Sequence, residues 1–136
     1  MDRRADLPTQ VKLLLDTHVI IWAAVEPDRL SVRARDAVSD PDNDLMLSAA
    51  SAYEIEYKRE RDDALRNIPP DLRTAFAAYG LTWLDVTAEH AAAAGRLPRH
   101  HGDPFDRLLI AQAVAEGAFL VSADRRFPAY GVAMIW

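Results

Sequence analysis

Residues 11–18 read VKLLLDTH, and this stretch indicates the fold class more clearly than any other part of the chain. A compact apolar run that only Lys12 interrupts is typical of a short buried strand. The run leads directly into Asp16, and the pattern then becomes helical over residues 19–25. Because a strand followed by a helix is the repeating unit of α/β domains, the segment predicts the beginning of such a domain.

The same alternation continues to the end of the chain. Further short apolar stretches predict strands at residues 45–47, 81–86, 118–122 and 132–136. Helical patterns lie between the predicted strands, at residues 31–38, 48–61, 69–80, 87–95 and 103–117. Ser31, Thr87 and Asp103 are the predicted N-caps of three of these helices. The sequence therefore predicts an α/β domain with a mainly parallel central sheet that helices cover on both faces.

Length and composition limit the architecture and the compartment. The chain has 136 residues, half of them apolar, which suits one domain with a real core. We expect a loose N-terminal leader at residues 1–10 and a single domain over residues 11–136. There is no cysteine, which excludes disulfides and thiolate metal sites and fits a cytoplasmic protein. The longest apolar run has seven residues, far short of the roughly 20 that span a bilayer, and no signal peptide is evident.

The net charge of −5 at first argues against a nucleic-acid partner, since a phosphate backbone attracts excess Lys and Arg. The balance changes if four of the 21 acids hold metal ions. The remaining 17 acids then face 16 Lys and Arg, which leaves a charge of −1. Net charge therefore does not exclude a polyanionic substrate.

Four acids fall at strand ends or in the first turns of predicted helices. These candidate site residues are Asp16, Glu54, Asp106 and Asp124. Open parallel sheets form their sites beyond the carboxyl ends of their strands, where Asp16 and Asp124 are expected. Without a cation the four carboxylates would repel one another, and at least one pKa would rise.

Each acid also has a purely structural interpretation. Asp16 fits a helix N-cap, and Glu54 can pair with Lys58 one helical turn later. Asp124 precedes two arginines with which it can form a surface ion pair. Asp103, which a proline follows, is typical of an N-cap, although it also stays a candidate ligand.

Taken together, the acids favour a metal centre. Oxygen ligands without cysteine suit Mg²⁺ or Mn²⁺. Such a site can activate a water and neutralise charge on a phosphodiester during in-line displacement. Thr17 and Ser122 stand beside two of the acids, where their hydroxyls would orient a carboxylate or a water.

Four segments carry a resemblance to a known family. They read LLLDTH at 13–18, SAASAYEI at 48–55, DPFDRLLIAQA at 103–113 and LVSADRRF at 120–127. In this order they resemble the motifs of PIN-domain proteins, most closely the VapC-type toxins of bacterial and archaeal toxin–antitoxin pairs. The resemblance covers residues 11–136, and the third segment is its most specific part. There are two departures: the leader is longer than is usual in the family, and Ser122 replaces a frequent threonine.

The resemblance implies a fold, an activity and partners. The fold would be a three-layer α/β/α sandwich, and the activity that of a Mg²⁺- or Mn²⁺-dependent endoribonuclease, the toxin of a type II pair. A cognate antitoxin would cover the site and place a basic side chain among the acids, in a homodimer or a larger hetero-oligomer. Matched motif by motif, the metal-binding acids are Asp16, Glu54, Asp106 and Asp124.

Basic residues surround the third motif. They are Arg96, Arg99, His100, His101 and Arg107. They fit a solvated loop, but Arg99 and Arg107 are also candidates for contacts with the RNA backbone. The two histidines alone do not indicate a metal site, because no third soft ligand is close in sequence.

Other functions remain to be compared with the nuclease. Phosphotransfer through an aspartyl-phosphate on Asp16 would favour a second aspartate two residues later, where His18 stands. A receiver domain needs a late lysine, and the only lysines are Lys12 and Lys58. A catalytically silent module that binds an antitoxin or RNA without cleavage stays open, since it would keep the same acids.

Overall fold

The computed structural model describes residues 11–136, and the predicted leader at residues 1–10 lies outside them. The strands are β1 (Lys12–Leu15), β2 (Asp44–Ser48), β3 (Thr82–Leu84), β4 (Phe119–Val121) and β5 (Met134–Ile135). The helices are α1 (Thr17–Val25), α2 (Val32–Ser39), α3 (Ala49–Lys58), α4 (Leu72–Phe76), α5 (Ala88–Arg96) and α6 (Pro104–Glu116). None of these helices is long and apolar enough to cross a bilayer.

The five strands form one sheet in the order β3-β2-β1-β4-β5, and every pairing is parallel. In the central pair, Leu13 lies opposite Phe119 and Leu15 opposite Val121. On the other side of β1, Leu14 pairs with Met46 of β2. The predicted parallel sheet is confirmed, with each strand at the place that the sequence indicated.

Alternate side chains of β1 enter two separate hydrophobic clusters. Leu13 and Leu15 pack with helices α1 to α4 on one face. Leu14 packs with α6 on the other face, against Leu109 and Ile110. This alternation follows from the two-residue repeat of a strand, and it explains why β1 is apolar at consecutive positions. The predicted three-layer α/β/α sandwich is confirmed.

The strand order creates a crevice between β1 and β4. From β1 the chain proceeds through β2 to β3 on one side, and it then returns to place β4 on the other side of β1. Connections that leave neighbouring strands in opposite directions open a gap at their carboxyl ends, where α/β proteins bind ligands. Asp16 follows β1 at this edge, and Ser122 to Asp124 follow β4.

The predicted N-caps are confirmed. The Ser31 hydroxyl accepts a hydrogen bond from the Ala34 amide at 3.1 Å, and the Thr87 hydroxyl accepts one from the His90 amide at 3.1 Å. The Asp103 carboxylate accepts a hydrogen bond from the Phe105 amide at 2.8 Å at the beginning of α6.

The predicted helix over residues 69–80 is wrong in its extent. Only α4 is α-helical there, and it begins after Asp71, whose carboxylate accepts a hydrogen bond from the Thr74 amide at 3.4 Å. The adjacent prolines at 69 and 70 lack the amide donors that a longer helix would use. A 3₁₀ turn over Ala77–Tyr79 then closes at Gly80, whose φ of 66° favours glycine.

A first prediction concerns the core at the centre of the sheet. Leu14 is 0% exposed, so Leu14→Ala leaves a cavity between β1 and α6. We expect it to lower the free energy of unfolding by about 2–5 kcal/mol in a urea titration. Val114→Ala is the matched control, since Val114 is 61% exposed and its truncation should change stability by less than about 0.5 kcal/mol. Equal losses in the two variants would contradict the assignment of Leu14 to the core.

Candidate active site

Asp16 connects the two strands that border the crevice. Its side chain is almost fully buried, and one carboxylate oxygen, Oδ1, caps α1 by accepting the His18 amide at 3.2 Å. The other, Oδ2, accepts the hydroxyl of Ser122 at 2.6 Å across the gap from the end of β4. The N-cap interpretation of Asp16 is therefore correct, and it leaves one oxygen directed toward β4.

Ser122 positions both acids that follow the central strands. While its hydroxyl donates to Asp16, the same oxygen accepts the backbone amide of Asp124 at 3.1 Å. The carboxylate of Asp124 in turn accepts hydrogen bonds from Nε of Arg126 at 3.0 Å and from its Nη2 at 2.8 Å. This paired hydrogen bond holds the pKa of Asp124 below its usual range.

Glu54 enters the site from the second turn of α3, and not from the first turn, where the sequence predicted it. It is 3% exposed, and its Oε2 accepts a hydrogen bond from Nζ of Lys58 at 2.7 Å. The predicted Glu54–Lys58 pair exists, yet it is not a surface pair, because the carboxylate end is buried. Burial acts to lower the pKa of Lys58, but the hydrogen bond to Glu54 and the nearby charges of Asp103 and Asp106 outweigh it and raise that pKa.

Thr17 stabilises the frame of the site. Its hydroxyl shares a hydrogen bond of 2.8 Å with the hydroxyl of Ser51, and both side chains are buried. This bond connects α1, which Asp16 caps, with α3, which carries Glu54. Thr17 thus orients the two helices relative to each other.

Asp106 carries a charge that the fold disfavours. It lies in the first turn of α6, directly behind the cap formed by Asp103. Burial, followed by repulsion from the charges of Asp103 and Asp16, raises the pKa of Asp106 to about 6, although the hydrogen bond from His101 opposes this shift. Asp106 and Asp16 therefore sense each other's charge across the crevice.

His101 lies next to two of the site acids, whereas the sequence indicated no metal site for the two adjacent histidines. Its Nε2 lies 2.6 Å from Oδ2 of Asp106 and 3.9 Å from Oδ2 of Asp124. One ligand atom from each of His101, Asp106 and Asp124 lies within 4.8 Å of the others, which is close enough to hold one cation. The available signal was weak, since a histidine in a loop five residues before an acid has no periodicity that would reveal the contact.

Arg107 is used by the fold, and its contact with RNA stays a prediction. Its guanidinium donates to the backbone carbonyls of Ala94 and Pro98 at 2.9 Å each and of His101 at 3.2 Å. These bonds hold the loop between α5 and α6 and thereby place His101 next to Asp106. Arg99, in contrast, lies exposed beside a cavity of about 280 Å³ that His101 also lines.

The donor set fits a hard divalent cation. Asp16, Glu54 and Asp106 are buried, and the chain has no thiolate. The imidazole of His101 forms one cluster with Asp106 and Asp124, which does not include Asp16 or Glu54. Carboxylate oxygens of this kind suit Mg²⁺ or Mn²⁺. The raised pKa of Asp106 agrees with this fit, because a cation would offset both the burial of its charge and the repulsion from Asp103 and Asp16.

Comparisons with known proteins support a common origin. The sequence model of the PIN domain matches residues 13–133. Ribonuclease VapC22 of Mycobacterium tuberculosis is 37% identical over 125 residues, which cover 84% of this chain and 88% of that protein.

Two solved structures share the fold. The crystal structure of the M. tuberculosis toxin VapC20, described as cleaving the sarcin-ricin loop, aligns with a TM-score of 0.63 at 20% identity, covering 89% of this chain and 96% of that one. DNA-bound VapBC from Salmonella typhimurium aligns with a TM-score of 0.62 at 19% identity, covering 91% and 96%. At such identities these alignments demonstrate the shared architecture alone.

A second prediction follows from the pKa of Asp106. Because this pKa is about 6 in the folded chain and 3.8 ordinarily, the folded state holds the proton more tightly. The contribution of Asp106 to stability without metal must then decrease as the pH rises through that window. Asp106→Asn removes the charge, so in EDTA its gain in stability over the wild type should be larger at pH 7 than at pH 4.5.

Urea unfolding at the two pH values measures this difference. Asp36→Asn changes an exposed acid of α2 and should show no such pH dependence. A gain from Asp106→Asn that is equal at both pH values would contradict the raised pKa.

A third prediction tests the role of Arg107. Arg107→Lys keeps the charge but replaces a planar fork of donors by a single ammonium. We expect a loss of about 1–3 kcal/mol in unfolding free energy, and faster hydrogen exchange in the loop over residues 97–102. Arg99→Lys, an exposed change in the same loop, should alter neither quantity. Unchanged stability in Arg107→Lys, together with weaker RNA binding, would contradict the structural role and favour the predicted contact with RNA.

Proposed function

Since the chain belongs to the PIN-domain family, and within it to the VapC group, we propose that it is a Mg²⁺- or Mn²⁺-dependent endoribonuclease and the toxin of a type II toxin–antitoxin pair. The observation that carries the proposal is the convergence of acids on the crevice between β1 and β4. Asp16 and Asp124 come from the strand ends, while Glu54 and Asp106 come from helices on opposite faces of the sheet. Relatedness to a protein named ribonuclease VapC22 supports the same class of reaction.

Within this proposal, Asp16, Glu54, Asp106 and Asp124 hold the metal. Asp103 remains a candidate fifth ligand: its Oδ1 caps α6, and the charge of the group reaches Asp106, Lys58 and Arg126. His101 adds an imidazole nitrogen beside Asp106 and Asp124. A bound Mg²⁺ or Mn²⁺ would supply an activated water and neutralise charge on the phosphodiester.

The chain's own residues prepare this chemistry by fixing the acids. Ser122 holds the Asp16 carboxylate and the Asp124 backbone in one arrangement. His101 holds Asp106, and the carbonyl of His101 is held by Arg107. Hydrogen bonds that orient the ligands of a metal typically raise the affinity for that metal. Ser122, His101 and Arg107 should therefore affect metal affinity, although they are not all ligands.

We assign the RNA-facing role to exposed basic groups near the acids. Lys58 and Arg126 extend from the site with more than 40% of their side chains exposed, and Arg99 lies beside His101. Such cations would hold the phosphates on either side of the cleaved bond. They give an acidic protein a local surface that a polyanion can approach.

The proposed partner is a cognate antitoxin that covers the acids. The contacts of Lys58 with Glu54 and of Arg126 with Asp124 illustrate how a basic side chain neutralises this site. An arginine or lysine from the antitoxin would do the same in trans and exclude the metal. Crystal structures of related folds are of toxin–antitoxin complexes, which supports a homodimer or hetero-oligomer here. A cytoplasmic location agrees with an RNA substrate.

A fourth prediction tests the nuclease. The purified chain, freed of any bound partner, should cleave total RNA in Mg²⁺ or Mn²⁺ and not in EDTA. Mutation of residues that merely orient metal ligands typically costs 10–100-fold, so Asp106→Asn should lower the rate by more than about 100-fold. Asp36→Asn, in the same preparation, should cleave at the wild-type rate.

The outcomes separate the nuclease from the silent module. Cleavage in EDTA, or by Asp106→Asn at the wild-type rate, would contradict the proposed centre or reveal a contaminating nuclease. No cleavage in any metal, combined with tight binding of an antitoxin or of RNA, would favour a module that uses the same acids only for binding.

A further inference from the structure

A pair of aromatic rings lies beside the acids on the first helix. Because α1 begins immediately after Asp16, its residues His18 and Trp22 lie four positions apart on one face of the helix. Their ring centroids are 5.8 Å apart, and the planes are inclined by 45°. His18 is anchored to the site by Asp16, since its Nδ1 lies 3.5 Å from Oδ1 of that acid while 55% of its side chain stays exposed.

Arg29 completes this surface from a neighbouring turn. The guanidinium carbon of Arg29 lies 4.3 Å above the ring of Trp22. Within residues 11–136, its one charged contact is an ion pair with Glu26 at 3.5 Å, and 56% of its side chain is exposed. Five N–H donors in a planar fork leave Arg29 with the capacity to bind an anion.

Two cavities meet at these three residues. One has a volume of about 320 Å³ and connects His18, Trp22 and Arg29 with Asp16 and Asp124. The other has a volume of about 250 Å³ and connects the same three residues with Glu54 and Lys58. The surface formed by His18, Trp22 and Arg29 thus separates two recesses, each of which ends at acids of the candidate metal centre.

A purely structural role accounts for part of this arrangement. Trp22 is half-buried and packs against the hydrophobic core and Trp136, so it secures α1 to the sheet. Arg73 over Trp83, at 5.8 Å, shows what such a pair looks like elsewhere in the fold. Neither Arg73 nor Trp83 lines either of the two cavities, whereas Trp22 and Arg29 line both.

We propose that His18, Trp22 and Arg29 form a nucleotide-binding subsite that holds one nucleotide flanking the cleaved phosphodiester. The base stacks against the aromatic surface, and Arg29 binds the adjoining phosphate. Proteins recognise single-stranded RNA in this way, with stacking on aromatic rings or arginine planes and cationic contacts to the backbone. The inference rests on the proposed nuclease function and extends it by assigning a place to the substrate beside the metal.

Binding of a labelled single-stranded RNA 12-mer tests the subsite. The parent protein is Asp106→Asn, which prevents cleavage, and fluorescence anisotropy gives Kd. Stacking is worth about 1–3 kcal/mol per base, so Trp22→Leu should weaken binding by about fivefold or more. Trp83→Leu and Arg73→Ala are the matched controls, and their Kd should stay within about twofold of the parent, the scatter expected for substitutions outside the binding surface.

Salt dependence separates the two roles. If Arg29 binds one phosphate, Arg29→Ala should reduce the slope of log Kd against log salt by about 0.7, the value for one contact to a single strand. Trp22→Leu should leave this slope unchanged. If the two variants lost affinity only because their fold was disturbed, their salt slopes would not differ in this way.

A set of RNAs with one abasic position at a time provides the decisive measurement. In the parent protein, removing the base that occupies the subsite should weaken binding. In Trp22→Leu the same removal should cost nothing further, because the stacking partner is already absent. If Trp22→Leu does not fold, Arg29→Ala and His18→Ala, which change exposed side chains, replace it in the same series.

The outcomes distinguish this inference from the function on which it rests. If the wild type cleaves RNA while folded Trp22 and Arg29 variants bind it as tightly as the Trp83 and Arg73 controls, the subsite is wrong and the nuclease stands. The two cavities would then be assigned to the binding of a protein partner. If the wild type neither cleaves nor binds RNA, the proposed function itself fails, and the subsite fails with it.

Discussion

Carboxylates gathered and buried at one edge of a parallel sheet are the constraint on which the rest of this structure depends. Each acid is compensated by a neighbour: Ser122 for Asp16, Lys58 for Glu54, His101 for Asp106 and Arg126 for Asp124. The compensation is incomplete at Asp106, whose pKa is raised to about 6 by burial first and then by the charges of Asp103 and Asp16. A cation bound among the acids would relieve this cost and would tie the stability of the site to its occupancy.

The strand order explains why these acids meet. Because β4 lies beside β1 and not beside β3, the carboxyl ends of β1 and β4 border one crevice. The bond between Asp16 and Ser122 then joins residues that are 106 positions apart in sequence. Helices α3 and α6 deliver Glu54 and Asp106 from opposite faces, so the site depends on both hydrophobic clusters being formed. Its geometry is a property of the whole fold.

The distribution of positive charge has two distinct purposes. Arg107 and Arg59 donate hydrogen bonds to backbone carbonyls, and they stabilise the irregular segments before α6 and after α3. Arg29, Lys58 and Arg126 instead lie at the mouth of the acidic crevice with exposed side chains. A chain with a net charge of −5 can therefore present a cationic rim around an anionic centre. Counting charges over the whole sequence does not reveal this arrangement, because screening makes the local pattern decisive.

The sequence by itself determined the five strands, the caps at Ser31, Thr87 and Asp103, the positions of Asp16 and Asp124 after strands, and that of Asp106 in a first helical turn, since these features depend on residues a few positions apart. It placed Glu54 too near the beginning of its helix, because α3 begins at Ala49 and Glu54 lies in the second turn. It did not limit the helix predicted over residues 69–80 to α4, because competition between a 3₁₀ turn and an α-helix is decided by packing. Only the tertiary structure decided that His101 contacts Asp106, that Arg107 serves the fold, and that Arg29 lies over Trp22 beside the acids. Loop conformation and long-range packing set these contacts, and neither leaves a periodic signal in the chain.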